Sequence, residues 1–180
     1  MKRRIMSLLL SSMLVLVIIG CGSDGISDDM ISINKYKELS IEADGVKRDE
    51  AVWNALLKHC ELMEYPEEEL QSLIEELERQ YGYASHYRDM TASELIEEKH
   101  GMSIEELAKE RLKKKYAISL IAEQEHLEVS EAQYEKWISK KAKENGLGSA
   151  EEYESMFGGE ELRQLFLEER VYEFLIKNLK

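Results

Sequence analysis

The chain has 180 residues, with 24 basic and 37 acidic side chains and a formal charge of −13. An acidic excess of that size opposes nucleic acid and anionic lipid headgroups and excludes a nucleic-acid function. Charged residues make up 34% of the chain and there is one proline; against the ~25% charge of ordinary globular domains, this points to long helices with much exposed face.

The first element is an address. Met1-Lys2-Arg3-Arg4 is a basic cluster, and Ile5 to Ile19 is a mostly apolar stretch carrying Ser7, Ser11 and Ser12. It is shorter than the about 20 apolar residues that cross a bilayer and has the parts of a secretory signal. Ile18-Ile19-Gly20-Cys21 resembles a bacterial lipobox. In that motif a diacylglycerol is joined to the cysteine sulfur, and cleavage between Gly20 and Cys21 leaves the cysteine first. Gly22-Ser23-Asp24-Gly25 then forms a flexible tether. An uncleaved anchor helix is the alternative, and both readings place the protein on the outer face of the cytoplasmic membrane. Each buried CH₂ of lipid contributes about 0.8 kcal/mol, so two or three acyl chains such as palmitate hold the mature protein there.

The division is therefore signal peptide 1–20, tether 21–35 after a lipidated Cys21, and a helical domain 36–180. Removing residues 1–20 takes Lys2, Arg3 and Arg4 and no acidic side chain, leaving 21 basic against 37 acidic residues. On that charge the body stands off the membrane while its lipid holds on. With Cys21 lipidated, Cys60 has no disulfide partner, and among apolar helix positions it behaves as a small hydrophobe.

Residues 31–42 alternate apolar and polar at Ile31, Ile33, Leu39 and Ile41. With no second extended segment to pair with, they are expected to form an ordered arm or leader. Val52, Ala55, Leu56, His59 and Leu62 predict a helix over 48–64. Pro66 suits the start of the next helix, Glu67, Glu68 and Glu69 complement its N-terminal dipole, and Leu70, Leu73, Ile74, Leu77 and Tyr81 form its stripe. Four later starts carry the Ser/Thr-x-x-Glu/Gln capping box: Thr91/Glu94, Ser103/Glu106, Ser130/Gln133 and Ser149/Glu152. Gly101, Gly146, Gly148 and the Gly158-Gly159 pair suit left-handed C-caps. Helices are expected at 92–100, 104–126, 131–145, 150–157 and 160–179, the last with an apolar face broad enough to be gripped from two sides. Seven helices and no sheet define an all-α, elongated multi-helix protein.

No catalytic, metal or cofactor motif stands out. The acidic residues lie opposite apolar stripes, as a solvated surface does. His59, His86, His100 and His126 are far apart, and His59 and Cys60, as helical neighbours, point about 100° apart. No nucleophile elbow, phosphate loop or dinucleotide fingerprint is present. The basic run Arg111, Lys113, Lys114, Lys115 is expected to be a solvated face pairing with nearby Glu, with an acidic client or a headgroup as the alternative.

Ala51-Val52-Trp53-Asn54-Ala55-Leu56-Leu57 followed by Glu64-Tyr65-Pro66-Glu67 resembles the opening of the C-terminal domain of trigger factor. Leu120 to Ser130 is similar to that family's hinge between helices, Leu162-Arg163 to Phe174-Leu175 to its closing helix, and Tyr36-Lys37-Glu38-Leu39 to the segment leading into its isomerase domain. Only Ser40 to Ala51 stands where the family carries an FKBP-type isomerase, and nothing matches its ribosome-docking domain. SurA-type and PrsA-type extracytoplasmic chaperones use a similar helical module. The resemblance implies a non-enzymatic, ATP-independent holdase whose partners are unfolded or nascent exported polypeptides, with the membrane engaged through the lipid anchor alone. A scaffolding lipoprotein with one folded partner is the alternative. Client-binding candidates are Tyr81, Tyr83, Tyr87 and Met90 after the second helix, and Met156 and Phe157 before the glycine pair; core packing is the competing role for each.

Mass spectrometry of the native protein is expected to show residues 1–20 missing and Cys21 acylated. An intact, unmodified N-terminus would overturn the lipobox assignment.

Overall fold

Helix starts follow from side chains that satisfy the orphan N–H groups of a first turn. The computed structural model describes residues 30–41, 48–127 and 129–180. Its elements are β1 (Ile31–Ile33), a 3₁₀ turn at Tyr36–Glu38, α1 (Arg48–Leu57), β2 (Cys60–Leu62), α2 (Glu67–His86), α3 (Ala92–His100), α4 (Ile104–Gln124), α5 (Glu131–Glu144), α6 (Ala150–Phe157) and α7 (Gly159–Lys177). The proposed signal peptide, Gly20, Cys21 and the first part of the tether lie outside the described residues. Thr91/Glu94, Ser103/Glu106 and Ser130/Gln133 close both halves of the capping box. Ser149 closes only one: its hydroxyl accepts the Glu152 N–H, while the Glu152 carboxylate takes the Gly148 N–H. Gly101, Gly146 and Gly158 have positive φ; Gly148 does not, and Gly159 opens α7 instead of capping α6.

The all-α class holds, with seven α-helices among the described residues and one correction. The first helix stops at Leu57 instead of continuing to residue 64, because Cys60–Leu62 pairs antiparallel with Ile31–Ile33. Ile31 faces Leu62 and Ile33 faces Cys60, while the Asn34 N–H donates to His59 O and the Met63 N–H to Met30 O. Cys60 and Ile31 are buried and Glu61 is exposed, a period of two that a helix would scatter around its axis. The expected lone strand thus has a partner, and residues 31–35, assigned to the tether, already belong to the body.

Three separate cores hold the chain. The central body collects Ile31, Leu39, Val52, Leu56, Cys60, the stretch Tyr116–Ala122 of α4, and Val171 and Leu175 of α7. A first arm packs α2 and α3 on the N-terminal half of α4 through Leu70, Leu77, Ile96, Leu107, Ala108 and Leu112. A second arm packs α5 and α6 on the N-terminal half of α7 through Tyr134, Trp137, Ile138, Tyr153, Leu162 and Phe166. Helices α4 and α7 therefore each serve two cores, so α7 is gripped from two sides as its broad apolar face requires. Among the described residues, no hydrogen bond or ion pair joins α2 or α3 to α5 or α6.

Polar bonds fix the joints. The Tyr116 hydroxyl and the Lys115 ammonium donate to Glu69, pinning the start of α2 to the middle of α4. Burial works to raise the Glu69 pKa, but these two donors outweigh it and hold the carboxyl below its usual range. In the second arm Trp137 and Lys141 both donate to Glu169, and Arg163 forms a two-pronged bond to Glu131 while lying 4.0 Å from the Tyr134 ring centroid.

Ile121 is fully buried in the central core, so Ile121→Ala is expected to cost about 2–5 kcal/mol of unfolding free energy. Leu165→Ala, at an exposed position on α7, should stay within about 0.5 kcal/mol. Urea melts of both variants check the contrast.

Candidate functional site

The arms meet the body at a cleft of about 340 Å³ between α1, α4 and α7, lined by Asp49, Glu50, Trp53, Asn54, Leu57, Glu110, Lys114 and Glu168. Trp53 is half-buried, with Tyr172 6.0 Å away centroid to centroid. Lys114 lies 4.3 Å from the indole centroid and pairs with Glu168 at 2.5 Å. That ammonium therefore joins α4 to α7 where both arms begin. Four carboxylates face one amine here, so the cleft is acidic, and only Trp53 and Leu57 offer it large apolar surface.

The sequence candidates divide by exposure. Tyr83 and Tyr87 are 75% and 73% exposed on the end of the first arm. One turn apart on α2 and its cap, they stack edge to face at 5.3 Å, and their hydroxyls are 3.0 Å apart. The Tyr83 hydrogen bond holds the Tyr87 phenol above its usual pKa. Met156 and Phe157 are 62% and 51% exposed where α6 ends, with Phe157 resting on Tyr153 at 4.7 Å. Tyr81 and Met90 are half-buried: Tyr81 packs against the first-arm core and its hydroxyl meets His100 Nε2 at 2.7 Å, and the Met90 N–H donates to Ser85 O. The six residues stand as two groups on two separate arms.

Leu165 and Met63 are further exposed large apolar residues. Leu165 lies three positions before Glu168, hence on the α7 face that the cleft shares. Its openness depends on where α5 and α6 stop covering α7, which periodicity does not encode. Met63 follows half-buried Leu62 in the extended ribbon, and its side chain stands in solvent. The residue types were visible in sequence; their lack of cover was not.

The groups with chemical potential have structural partners. Lys114 donates to Glu168 and Lys115 to Glu69, so two of the four residues of the basic run pair with Glu as expected, while Arg111 donates to Gln80; together these bonds tie α2 and α7 to α4. Among the described residues no three His, Cys, Asp or Glu side chains are placed to hold a metal ion. The Cys60 thiol is buried and donates to Leu56 O, and burial pushes its pKa up to about 11. Gly158, with φ +84°, turns the chain between α6 and α7; a Cβ there would stand 2.0 Å from a Glu161 carboxylate oxygen. Among the described residues no helix is long and apolar enough to cross a membrane.

The described residues form a helical body carrying two helical arms, with the largest exposed apolar side chains mainly on those arms. The family model for the C-terminus of the bacterial trigger factor protein matches residues 37–177, and the chain belongs to that family. The domain of this family is of the chaperone type, which is non-catalytic. No curated protein and no solved structure matches the chain.

In a Cys21→Ser chain, Cys60 is expected to be silent to a thiol-reactive disulfide reagent at pH 8 and to react stoichiometrically in guanidinium. Rapid reaction of the folded chain would show that the thiol is accessible.

Proposed function

We propose that this protein is an extracytoplasmic, ATP-independent holdase, anchored by lipid on Cys21 to the outer face of the cytoplasmic membrane, that binds unfolded exported polypeptides between its arms. The observation that carries the reading is the pair of exposed apolar groups, Tyr83 and Tyr87 on one arm and Met156 and Phe157 on the other, in a chain of the trigger factor C-terminal family. Exposed apolar groups of this kind mark interaction sites, and an unfolded segment that covers them releases water from both surfaces. Two arms engaging one chain make the second contact intramolecular, so weak patches add up to useful avidity. Tyr81 and Met90, half-buried, support the arm instead of contacting a client directly. The acidic surface around the patches keeps a loaded complex soluble. The chemistry is binding alone, with no cofactor.

A second reading, a scaffolding lipoprotein with one folded partner, is favoured by the placement of the two patches on separate arms. A continuous apolar groove would suit any unfolded chain, whereas spaced anchors suit a partner of fixed shape. Pull-down separates the two: many unrelated unfolded proteins for the holdase, one stoichiometric partner for the scaffold.

The 21–180 chain is expected to suppress aggregation of a heat-denatured client at several-fold excess. Tyr83→Ser/Tyr87→Ser/Phe157→Ser should weaken that capture by about tenfold or more, since each such side chain contributes roughly 1.5–3 kcal/mol when buried. Its melting temperature should not change. Undiminished aggregation with the parent chain would count against the holdase.

A further inference from the structure

We propose that the end of the body where α4 and α7 finish is a membrane-facing surface that seats on anionic phospholipid headgroups, with both arms pointing away from the bilayer. The proposal rests on the lipid-anchored reading above and adds an orientation and a lipid class to it. Three observations converge on that end.

The first is geometric. The Tyr36 hydroxyl donates to Gln124 and Glu125 at the end of α4, and its ring lies 6.3 Å from Phe174 near the end of α7. The Lys180 N–H donates to Leu39 O. The 3₁₀ turn and the last turns of both long helices are thus one surface. The arms are built on the opposite, N-terminal halves of the same two helices. The 21 residues of α4 place Ile104 about 30 Å from that surface.

The second is charge. Lys35, Lys37, Lys58, Lys177 and Lys180 gather at this end of an otherwise acidic protein. Lys35 leads into the turn with φ 58°, and Lys58 precedes His59, whose carbonyl takes the Asn34 N–H. Glu38 and Glu125 lie among them, already paired with Lys180 at 2.9 Å and Lys37 at 2.6 Å. Among the described residues no carboxylate lies within ion-pair distance of Lys35, Lys58 or Lys177. Exposed Glu123 and Glu173 stand at the flanks. Salt screens charge beyond about 8 Å at physiological ionic strength, so headgroups sense these lysines and not the acidic arms. Each lysine at such a surface favours binding about fivefold. The net charge predicts a body held off the membrane; at this end lysines and carboxylates nearly balance, so it is the face repelled least, and Lys35, Lys58 and Lys177 are left to meet headgroups.

The third is reach. Cys21 is nine residues ahead of Met30, a span of about 30 Å at full extension. Met30 is five residues from Lys35, so a lipid on Cys21 can hold the lysine end against the headgroups.

The test uses the native acylated chain in vesicles that carry an acceptor dye at the headgroup. Donor dyes sit on Gln124→Cys at the lysine end, or on Ala84→Cys and Ser155→Cys in the two arms, with Cys60 shielded in the core. Energy transfer from position 124 is expected to exceed that from 84 and 155 several-fold on phosphatidylglycerol–phosphatidylcholine vesicles. The excess should collapse in the Lys35→Glu/Lys177→Glu chain and on pure phosphatidylcholine. Equal transfer from all three sites, or an excess unchanged by the double substitution, overturns the proposal. If mass analysis finds Cys21 unmodified, the anchor reading fails separately, and sedimentation with the same vesicles tests the surface alone. Salt-sensitive binding that falls about tenfold or more in the double variant then supports it, and no preference for the anionic vesicles overturns it.

Discussion

Everything in this fold depends on two helices each being shared between two cores. A helix that buries one stripe in one core folds into a bundle; α4 and α7 bury one stripe near their starts and another near their ends. The central body holds their C-terminal halves, and each N-terminal half becomes the rail of an arm. Lys114, paired with Glu168 and lying over Trp53, marks where sharing gives way to separation. The cleft at that point is lined by Asp49, Glu50, Glu110 and Glu168, with Lys114 among them. Burying those carboxylates unpaired would be costly, so the cleft stays wet where the chain divides into arms.

That division gives the exposed apolar residues their meaning. A lone exposed tyrosine or methionine is ordinary on any protein surface. Tyr83 with Tyr87, and Met156 with Phe157, are pairs, each set on an arm with its own small core. Arg163–Glu131 holds the second arm internally and Tyr116–Glu69 fixes the first arm at its root, so the patches are presented on supported scaffolds. Such an arrangement suits contact with long, irregular partners, in keeping with membership of the trigger factor C-terminal family.

Much of this was legible along the chain. The capping boxes at Thr91, Ser103 and Ser130 marked helix starts because a cap is a contact between residues three apart, local enough to be written in sequence. Ser149 departed from the pattern because Glu152 found the Gly148 N–H first. Cys60–Leu62 was misassigned to a helix because its partner, Ile31–Ile33, lies some thirty residues away, and pairing at that distance leaves no local mark. The apolar candidates at 83, 87, 156 and 157 were recognisable as large residues beside helix ends. Tyr81 and Met90 had the same local look and are half-buried, Tyr81 against the first-arm core and His100 of α3.

By itself the sequence determined the helical class, the positions where most helices begin, and the acidity, since each depends on composition or on neighbours within one turn. Only the tertiary structure decided that the apolar stripes divide among three cores, that a two-stranded ribbon closes the body, that Leu165 is left uncovered, and that five lysines share one end. The reason is physical: burial and local potential are sums over groups brought together from distant parts of the chain. Periodicity shows which face of a helix is oily, and only packing shows which part of that face stays wet.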